Sequence, residues 1–249
     1  WPREAQVMRF VDLGAPPPGV ELRIARDGGP NVLDELQVGH LQIRGPCVML
    51  GYHDNPVANA ECYPGDGWFD SGDLGFVCDG RLFLTGRAKE MIIIRGANLY
   101  CYDVEAVAMQ VAGTLPPLAA ATSVYDPAEA TEALLLFFVV EPEALPAVEV
   151  AALHELGHVS ERLGALVCEV RHAVTSGLGV APRCAIPVLE EHFHRTTSGK
   201  IQRGAFKKEY EAGKYALAAE ALAHAANGTA ASEYRVEWPM LPPESAAVS

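Results

Sequence analysis

Apolar and polar positions alternate in two short stretches near the start of the chain. Val20-Glu21-Leu22-Arg23-Ile24 and Leu41-Gln42-Ile43-Arg44 each put every second side chain on one face, the period of a half-buried strand. Gly28-Gly29-Pro30, Gly45-Pro46 and Pro64-Gly65-Asp66-Gly67 punctuate this region as turns. Asp79-Gly80, just before Arg81-Leu82-Phe83-Leu84, predicts a tight hairpin. Residues 1–86 thus read as strands and turns.

After Gly86 the period changes and helices join the strands. Met91-Ile92-Ile93-Ile94 is short and wholly apolar, as a buried strand is. Val104, Val107, Ala108 and Val111 recur at helical spacing and predict an amphipathic helix over about 102–112, with Asp103 and Glu105 in a first turn that favours carboxylates. Residues 119–124 and 134–140 read as strands, 148 to about 174 as helix, 185–189 as strand and 201 to about 212 as a final helix. From 213 the chain becomes Ala-rich and then Pro/Ser-rich. Residues 216–226 have a helical pattern, 227–232 read as a linker, and Tyr234-Arg235-Val236-Glu237-Trp238 alternates like a new strand. No internal repeat is evident.

Composition narrows the classes. Hydrophobic residues make up 49% and charged residues 20% of 249 residues, ordinary for one or two globular domains. The net charge of -13 argues against nucleic acid or an anionic membrane as partner, because like charges repel. The longest apolar run, 133–140, is strand-sized and far below the ~20 residues of a membrane span. Cys47, Cys62, Cys78, Cys101, Cys168 and Cys184 are scattered with no Cys-x-x-Cys pair, which predicts neither a disulfide framework nor a cysteine metal site and makes the reducing cytoplasm the default. The chain starts at Trp1 with no charged-then-apolar leader, so no signal peptide is expected and the sequence reads as a piece of a longer protein. Asn227-Gly228-Thr229 fits a glycosylation acceptor only by chance in a cytosolic chain.

Three segments carry candidate chemistry. In Trp68-Phe69-Asp70-Ser71-Gly72-Asp73-Leu74-Gly75, an aspartate between glycines at a strand end can accept two hydrogen bonds from a vicinal diol, although alone it reads better as a turn-forming Asp. Downstream, Thr85-Gly86-Arg87-Ala88-Lys89-Glu90 and Met91-Ile92-Ile93-Ile94-Arg95-Gly96-Ala97-Asn98 combine a basic turn, a buried strand and a glycine loop. Farther on, Arg195-Thr196-Thr197-Ser198-Gly199-Lys200-Ile201-Gln202-Arg203 sets a lysine on a Ser-Gly turn ahead of a helix, where its mobile charge can meet phosphate or carboxylate oxygens.

These segments, in this order, resemble the C-terminal portion of the adenylate-forming (AMP-binding) superfamily: acyl-CoA synthetases, nonribosomal peptide adenylation domains, luciferases and fatty acyl-AMP ligases. Gly39-His40-Leu41-Gln42-Ile43-Arg44-Gly45-Pro46 and Leu50-Gly51-Tyr52 look like the family's preceding motif, with His40 where a glutamate is usual. The resemblance covers residues 10 to about 212 and implies an α+β fold. Residues 1–86 would be the β-rich end of a large N-terminal domain, 87–212 a small mixed α/β swinging domain, and 213–249 a linker toward a further domain.

The resemblance also implies roles. Asp73 would hold the ATP ribose hydroxyls and Arg87 would contact the ribose and support the adenylate. Lys89 would be the hinge, Gly96 and Asn98 would lie on the loop lining the pantetheine tunnel, and Lys200 would be the catalytic lysine bridging carboxylate and α-phosphate. The implied activity is ligation: ATP and Mg activate a carboxylic acid, and the acyl group passes to a phosphopantetheine thiol, on an acyl carrier protein or on CoA. Gly96-Ala97-Asn98-Leu99-Tyr100, Asp103-Val104-Glu105, Gly179-Val180-Ala181-Pro182 and the 206–213 segment look more narrowly like fatty acyl-AMP ligases and the loading ligases of polyketide and peptide synthases, Cys101 departing from the commoner residues. The ATP phosphate loop and most of the acyl pocket are absent, so the chain names no acid and is not expected to adenylate alone.

Other patterns are weaker. His154-Glu155-Leu156-Gly157-His158 fits a zinc-protease motif but lacks a convincing third ligand, so a solvated helix face is the expectation and a metal is not. Thr197-Ser198-Gly199-Lys200 lacks the glycine and Ser/Thr that a P-loop needs, since His194 and Ile201 stand there. Arg203, Lys207 and Lys208 form a basic stripe, expected as a solvated face or as a dock for an acidic carrier. An acyl-CoA synthetase, an inactive remnant or docking module, and a metalloprotease are the alternatives.

Overall fold

The computed structural model describes residues 10–63, 65 and 67–226, and the fold is α+β. The glycosylation-like sequence at 227–229, the 227–232 linker and the strand expected at 234–238 lie outside these residues.

The first half is a four-stranded antiparallel sheet in the order β1-β2-β3-β4, formed by Glu21–Ala25, Gly39–Arg44, Phe69–Cys78 and Arg81–Arg87. The short helix α1, Pro56–Cys62, precedes β3; Asn55 caps it by accepting from the Ala58 amide, and Pro56 opens it. Asp79 and Gly80 join β3 to β4 with φ of 50° and 69°, the two positive values that a type I′ hairpin turn requires. Trp68 is buried, with the guanidinium groups of Arg23 and Arg44 at 4.3 and 4.6 Å from its ring.

A 3-10 turn, Ala88–Glu90, leads to a second hairpin of β5 (Met91–Ile94) and β6 (Ala97–Tyr100). Next come α2 (Cys101–Ala108), the long strands β7 (Thr114–Asp126) and β8 (Thr131–Val140), α3 (Ala147–Leu156), α4 (Glu161–Leu178) and β9 (Cys184–Val188). β8 is the middle strand of β7-β8-β9, antiparallel to β7 and parallel to β9. The parallel pairing needs the long crossover that α3 and α4 supply. Leu134, Leu135, Leu136, Phe137 and Phe138 are buried on both faces of the sheet, which is why their run is continuous rather than alternating. The main apolar core runs from Ile92 to Leu222, and α5 (Arg203–Glu211) closes it by stacking Phe206 on Phe137 at 4.8 Å between ring centroids.

Four boundaries differ from expectation. The helix predicted over 148–174 is two helices: Gly157 turns left-handed at φ 64° to end α3, and Ser160 caps α4 by accepting from the Leu163 amide. α2 starts at Cys101 and ends at Ala108, which moves Glu105 out of the first turn. α5 starts at Arg203 rather than 201, because Ile201 bridges to Arg195 and the Gln202 amide donates to the His194 carbonyl. The stretch expected as a linker from 213 begins with the helix that its pattern predicts: α6 (Ala216–Ala226) packs on α3, α4 and β9, with Ala218 and Leu222 buried.

Candidate functional site

Asp73 lies within β3, not at its end. Gly72, at φ 72°, and the Ser71 hydroxyl shape the strand before it: the Asp73 amide donates to Ser71 Oγ at 3.1 Å and Ser71 Oγ donates to the Leu41 carbonyl at 3.1 Å. Asp70 accepts from the Gly72 amide at 2.8 Å and lies 3.1 Å from His40 Nδ1, so the histidine in the usual glutamate position is engaged with a carboxylate. Arg87 is the register partner of Asp73 across the ladder, and its Nε donates to Asp73 Oδ1 at 3.1 Å. The sheet therefore brings Asp73 and Arg87 together with their polar ends toward solvent.

Lys89 follows in the 88–90 turn, its ammonium exposed and 3.7 Å from Glu61. The glycine loop is the turn of the β5–β6 hairpin: Arg95 and Gly96 take φ of 50° and 82°, and Asn98 is already in β6 opposite Ile93. Gly96 and Asn98 are both exposed. The β5–β6–α2 region also meets the first sheet. Tyr100 Oη donates to Thr85 Oγ1 at 2.9 Å, and Tyr102, stacked on Tyr100, donates to the Thr85 carbonyl at 2.5 Å. Burial pushes the Tyr102 hydroxyl up to about 12 and the Cys101 thiol to about 12, so both stay protonated at neutral pH.

Lys200 sits on a turn closed by its own backbone. The Thr196 amide donates to the Lys200 carbonyl at 2.9 Å, and the Lys200 amide to Thr196 Oγ1 at 3.0 Å. The side chain is exposed, and among the described residues none forms an ion pair with it. Lys200 makes no hydrogen bond or ion pair with Asp73 or Arg87, so the lysine and the Asp–Arg pair are separate features in this arrangement of the chain.

One cluster escaped the sequence reading. Arg203, placed there in a solvated basic stripe, is largely buried. Its Nε and Nη2 donate to the two Glu105 oxygens, each at 2.7 Å, and its Nη1 donates to Glu90 Oε1 at 2.9 Å. Glu105, itself buried, also accepts from the Ala121 amide of β7 at 2.9 Å. The Glu105 hydrogen bonds raise the Arg203 pKa against the opposing effect of burial. The pairing of Glu105, in the middle of α2, with Arg203, at the start of α5, joins residues 98 apart in the chain, and no local spacing reveals it. Lys207 and Lys208 remain of the stripe.

The His-Glu-x-x-His pattern fails structurally, since α3 stops at Leu156 and His158 lies beyond the Gly157 cap. His154 is not on a solvated face: its Nε2 is 2.7 Å from the Pro187 carbonyl, its ring meets Tyr215 edge-on, and burial lowers its pKa. Among the described residues no three His, Cys, Asp or Glu side chains group as a metal site, and no helix is long and apolar enough to cross a membrane.

The candidate site thus comprises an antiparallel sheet that pairs Asp73 with Arg87, a short turn, and a small α+β body with an exposed lysine on a tight turn. No protein-family model matches the chain. It is 31% identical over 216 residues to nonribosomal peptide synthetase atqA of Aspergillus terreus, covering 86% of this chain and 21% of that protein. Two solved structures resemble it: McyG A-PCP complexed with phenylalanyl-adenylate, at TM-score 0.71, 33% identity and 86% of this chain against 36% of that one, and fatty acyl-adenylate ligases from E. coli and L. pneumophila, at TM-score 0.64, 29% identity and 86% against 35%. The chain belongs to the adenylate-forming (AMP-binding) superfamily and corresponds to its C-terminal portion. It spans 21% of the length of the first curated relatives it matches.

Proposed function

We propose that the protein containing this chain activates a carboxylic acid with ATP as an acyl-adenylate and transfers the acyl group to a phosphopantetheine thiol of a carrier protein. The observation that carries this reading is the division of polar groups across one short turn: Asp73 and Arg87 on one side, Lys200 on the other. Residues 1–86 would complete the large domain, and the body after residue 87 would swing about Lys89.

Each residue has a physical task in this reading. Asp73 presents carboxylate oxygens that accept from the ribose hydroxyls, and Arg87 neutralises Asp73 while offering donors to the same nucleotide. Lys200 supplies positive charge where the attacking carboxylate and the α-phosphate bring two anions together. Its freedom from ion pairs in the described residues suits a charge that must be delivered by domain movement. Mg would ride on the nucleotide phosphates, and no residue of this chain is assigned to it. The Gly96 turn and Asn98 would line the path of the pantetheine arm after the swing.

The relative named as a peptide synthetase and the solved A-PCP structure support a carrier as acceptor. A tethered carrier reaches the site at roughly millimolar effective concentration, so it needs no strong docking surface. For the acid, the 96–105 and 206–213 segments and the fatty acyl-adenylate ligase structures support a fatty acid. A second reading, an amino or aryl acid, is favoured by the phenylalanyl-adenylate complex. The test is pyrophosphate exchange by the full-length protein with fatty, amino and aryl acids, followed by acyl transfer to holo-carrier or to CoA. Exchange with no acid of the panel would refute the activity, and faster transfer to CoA than to carrier would replace the assembly-line reading with an acyl-CoA synthetase.

A further inference from the structure

We propose that Glu90 is a positioning residue: its ion pair with Arg203 fixes the downstream end of a two-residue pivot and so determines where Lys200 stands during adenylation. This rests on the activity proposed above. Two anchors bound the pivot. Upstream, Arg87 is held in the β3–β4 ladder and ion-paired to Asp73 at 3.1 Å. Downstream, Glu90 is held by Arg203 at 2.9 Å. Only residues 88 and 89 lie between, and the Lys89 side chain is 90% exposed.

The downstream anchor is fixed to the small body rather than to solvent. Arg203 spends its other two donors on Glu105, whose side chain is 5% exposed and is itself bonded to β7. A guanidinium is a planar fork, so three donors engaged on two carboxylates leave it little freedom. Arg203 opens α5 and lies just past Lys200, whose turn is closed by the Thr196 hydrogen bonds. The path from pivot to ammonium is therefore Glu90, Arg203, Lys200, with no long loop in it. With Glu90 pinned, rotation at 88 and 89 carries the Lys200 turn as one piece. Without it, the bend can spread into the four-residue strand β5, and the lysine arrives over a range of positions.

Arg203 itself is a poor test, because removing it strands the buried Glu105 charge and unfolding would confuse the result. Glu90 is partly exposed, and Glu90→Ala leaves the Arg203–Glu105 pair intact. In the full-length enzyme, Glu90→Ala is expected to lower kcat for carboxylate-dependent pyrophosphate exchange about tenfold, because small misplacements of a reacting group are costly. KM for ATP should stay within about twofold, and acyl transfer from supplied acyl-adenylate, which does not use Lys200, within about threefold. Glu90→Gln keeps an acceptor oxygen for Arg203 and should restore most of the exchange rate. Hydrogen exchange at amides 88–91 of the substrate-free protein should be several-fold faster in Glu90→Ala at unchanged melting temperature. Unchanged amide exchange, or an equal fall in both half-reactions, would overturn the proposal. If the wild-type enzyme shows no pyrophosphate exchange with any acid, the activity reading fails and the amide-exchange comparison alone decides the pivot.

Discussion

Asp73 and Arg87 face each other across β3 and β4, with the arginine Nε 3.1 Å from the aspartate Oδ1. The pair is solvent-facing, so its own contribution to stability is roughly 0–1 kcal/mol. Its value lies in presenting a carboxylate at a fixed ladder position. Asp73→Asn is expected to lower kcat/KM for ATP about 10²-fold, since hydrogen bonds to a charged acceptor are worth roughly 1.5–3 kcal/mol each. The melting temperature should barely move. Exchange kinetics at varied ATP check this, and a normal kcat/KM would remove Asp73 from the nucleotide site.

Lys89→Pro tests the pivot directly. Proline fixes φ near -65° and restricts Ala88 as well. Adenylate formation should survive while thioester formation on the carrier falls by about tenfold or more, the mark of a blocked conformational step. Comparable loss in both half-reactions would place the hinge elsewhere.

Phe206 is fully buried and sits against Phe137 and Phe193, with centroid separations of 4.8 and 5.1 Å. Phe206→Ala should cost roughly 3–5 kcal/mol through lost burial and a residual cavity. Chemical denaturation would show this as a lower midpoint at unchanged slope.

Glu209 sets an acid limb of stability. Burial alone would raise its carboxyl, but hydrogen bonds from Lys214 at 2.7 Å and Tyr215 at 2.6 Å, with His194 Nε2 2.9 Å away, outweigh that and hold it at about 2 against an ordinary 4.5. A carboxyl lowered on folding stabilises the protein above its unfolded value, and that contribution is lost as pH falls from about 4.5 to about 2. Glu209→Gln should therefore flatten the fall in melting temperature over this window. An identical pH profile in the variant would contradict the assignment.

The sequence carried most of the fold and part of the site for identifiable reasons. The alternating strands, the Asp79-Gly80 turn and the doubly buried run of β8 follow local period and turn chemistry, which is why they were legible. The break between α3 and α4 was written in Gly157 and Ser160, but the apolar spacing on either side masked it. The helical pattern of 216–226 was legible, but Ala-rich composition does not tell that α6 packs; burial of Leu222 and Ala218 does. The Asp73–Arg87 pairing depends on a one-residue register shift between Leu74 and Gly75, without which the Asp79-Gly80 hairpin would set Asp73 opposite Gly86, and the Arg203–Glu105–Glu90 cluster joins residues far apart in the chain and depends on how α2, α5 and the 88–90 turn meet. No period encodes that meeting.

Lys200 offers the most direct test of adenylate chemistry. It is an exposed cation on a turn closed by the Thr196 hydrogen bonds, separate from the Asp73–Arg87 pair, and the proposed function requires a domain movement to unite them. In the full-length enzyme, Lys200→Ala should lower carboxylate-dependent pyrophosphate exchange by roughly 10²- to 10³-fold, the scale for one electrostatic group at a transition state. Acyl transfer from supplied acyl-adenylate to the holo-carrier should be largely spared. Full exchange activity in Lys200→Ala would contradict the proposed role of this lysine and, with it, the reading of this chain as the lysine-bearing part of an acyl-adenylate ligase.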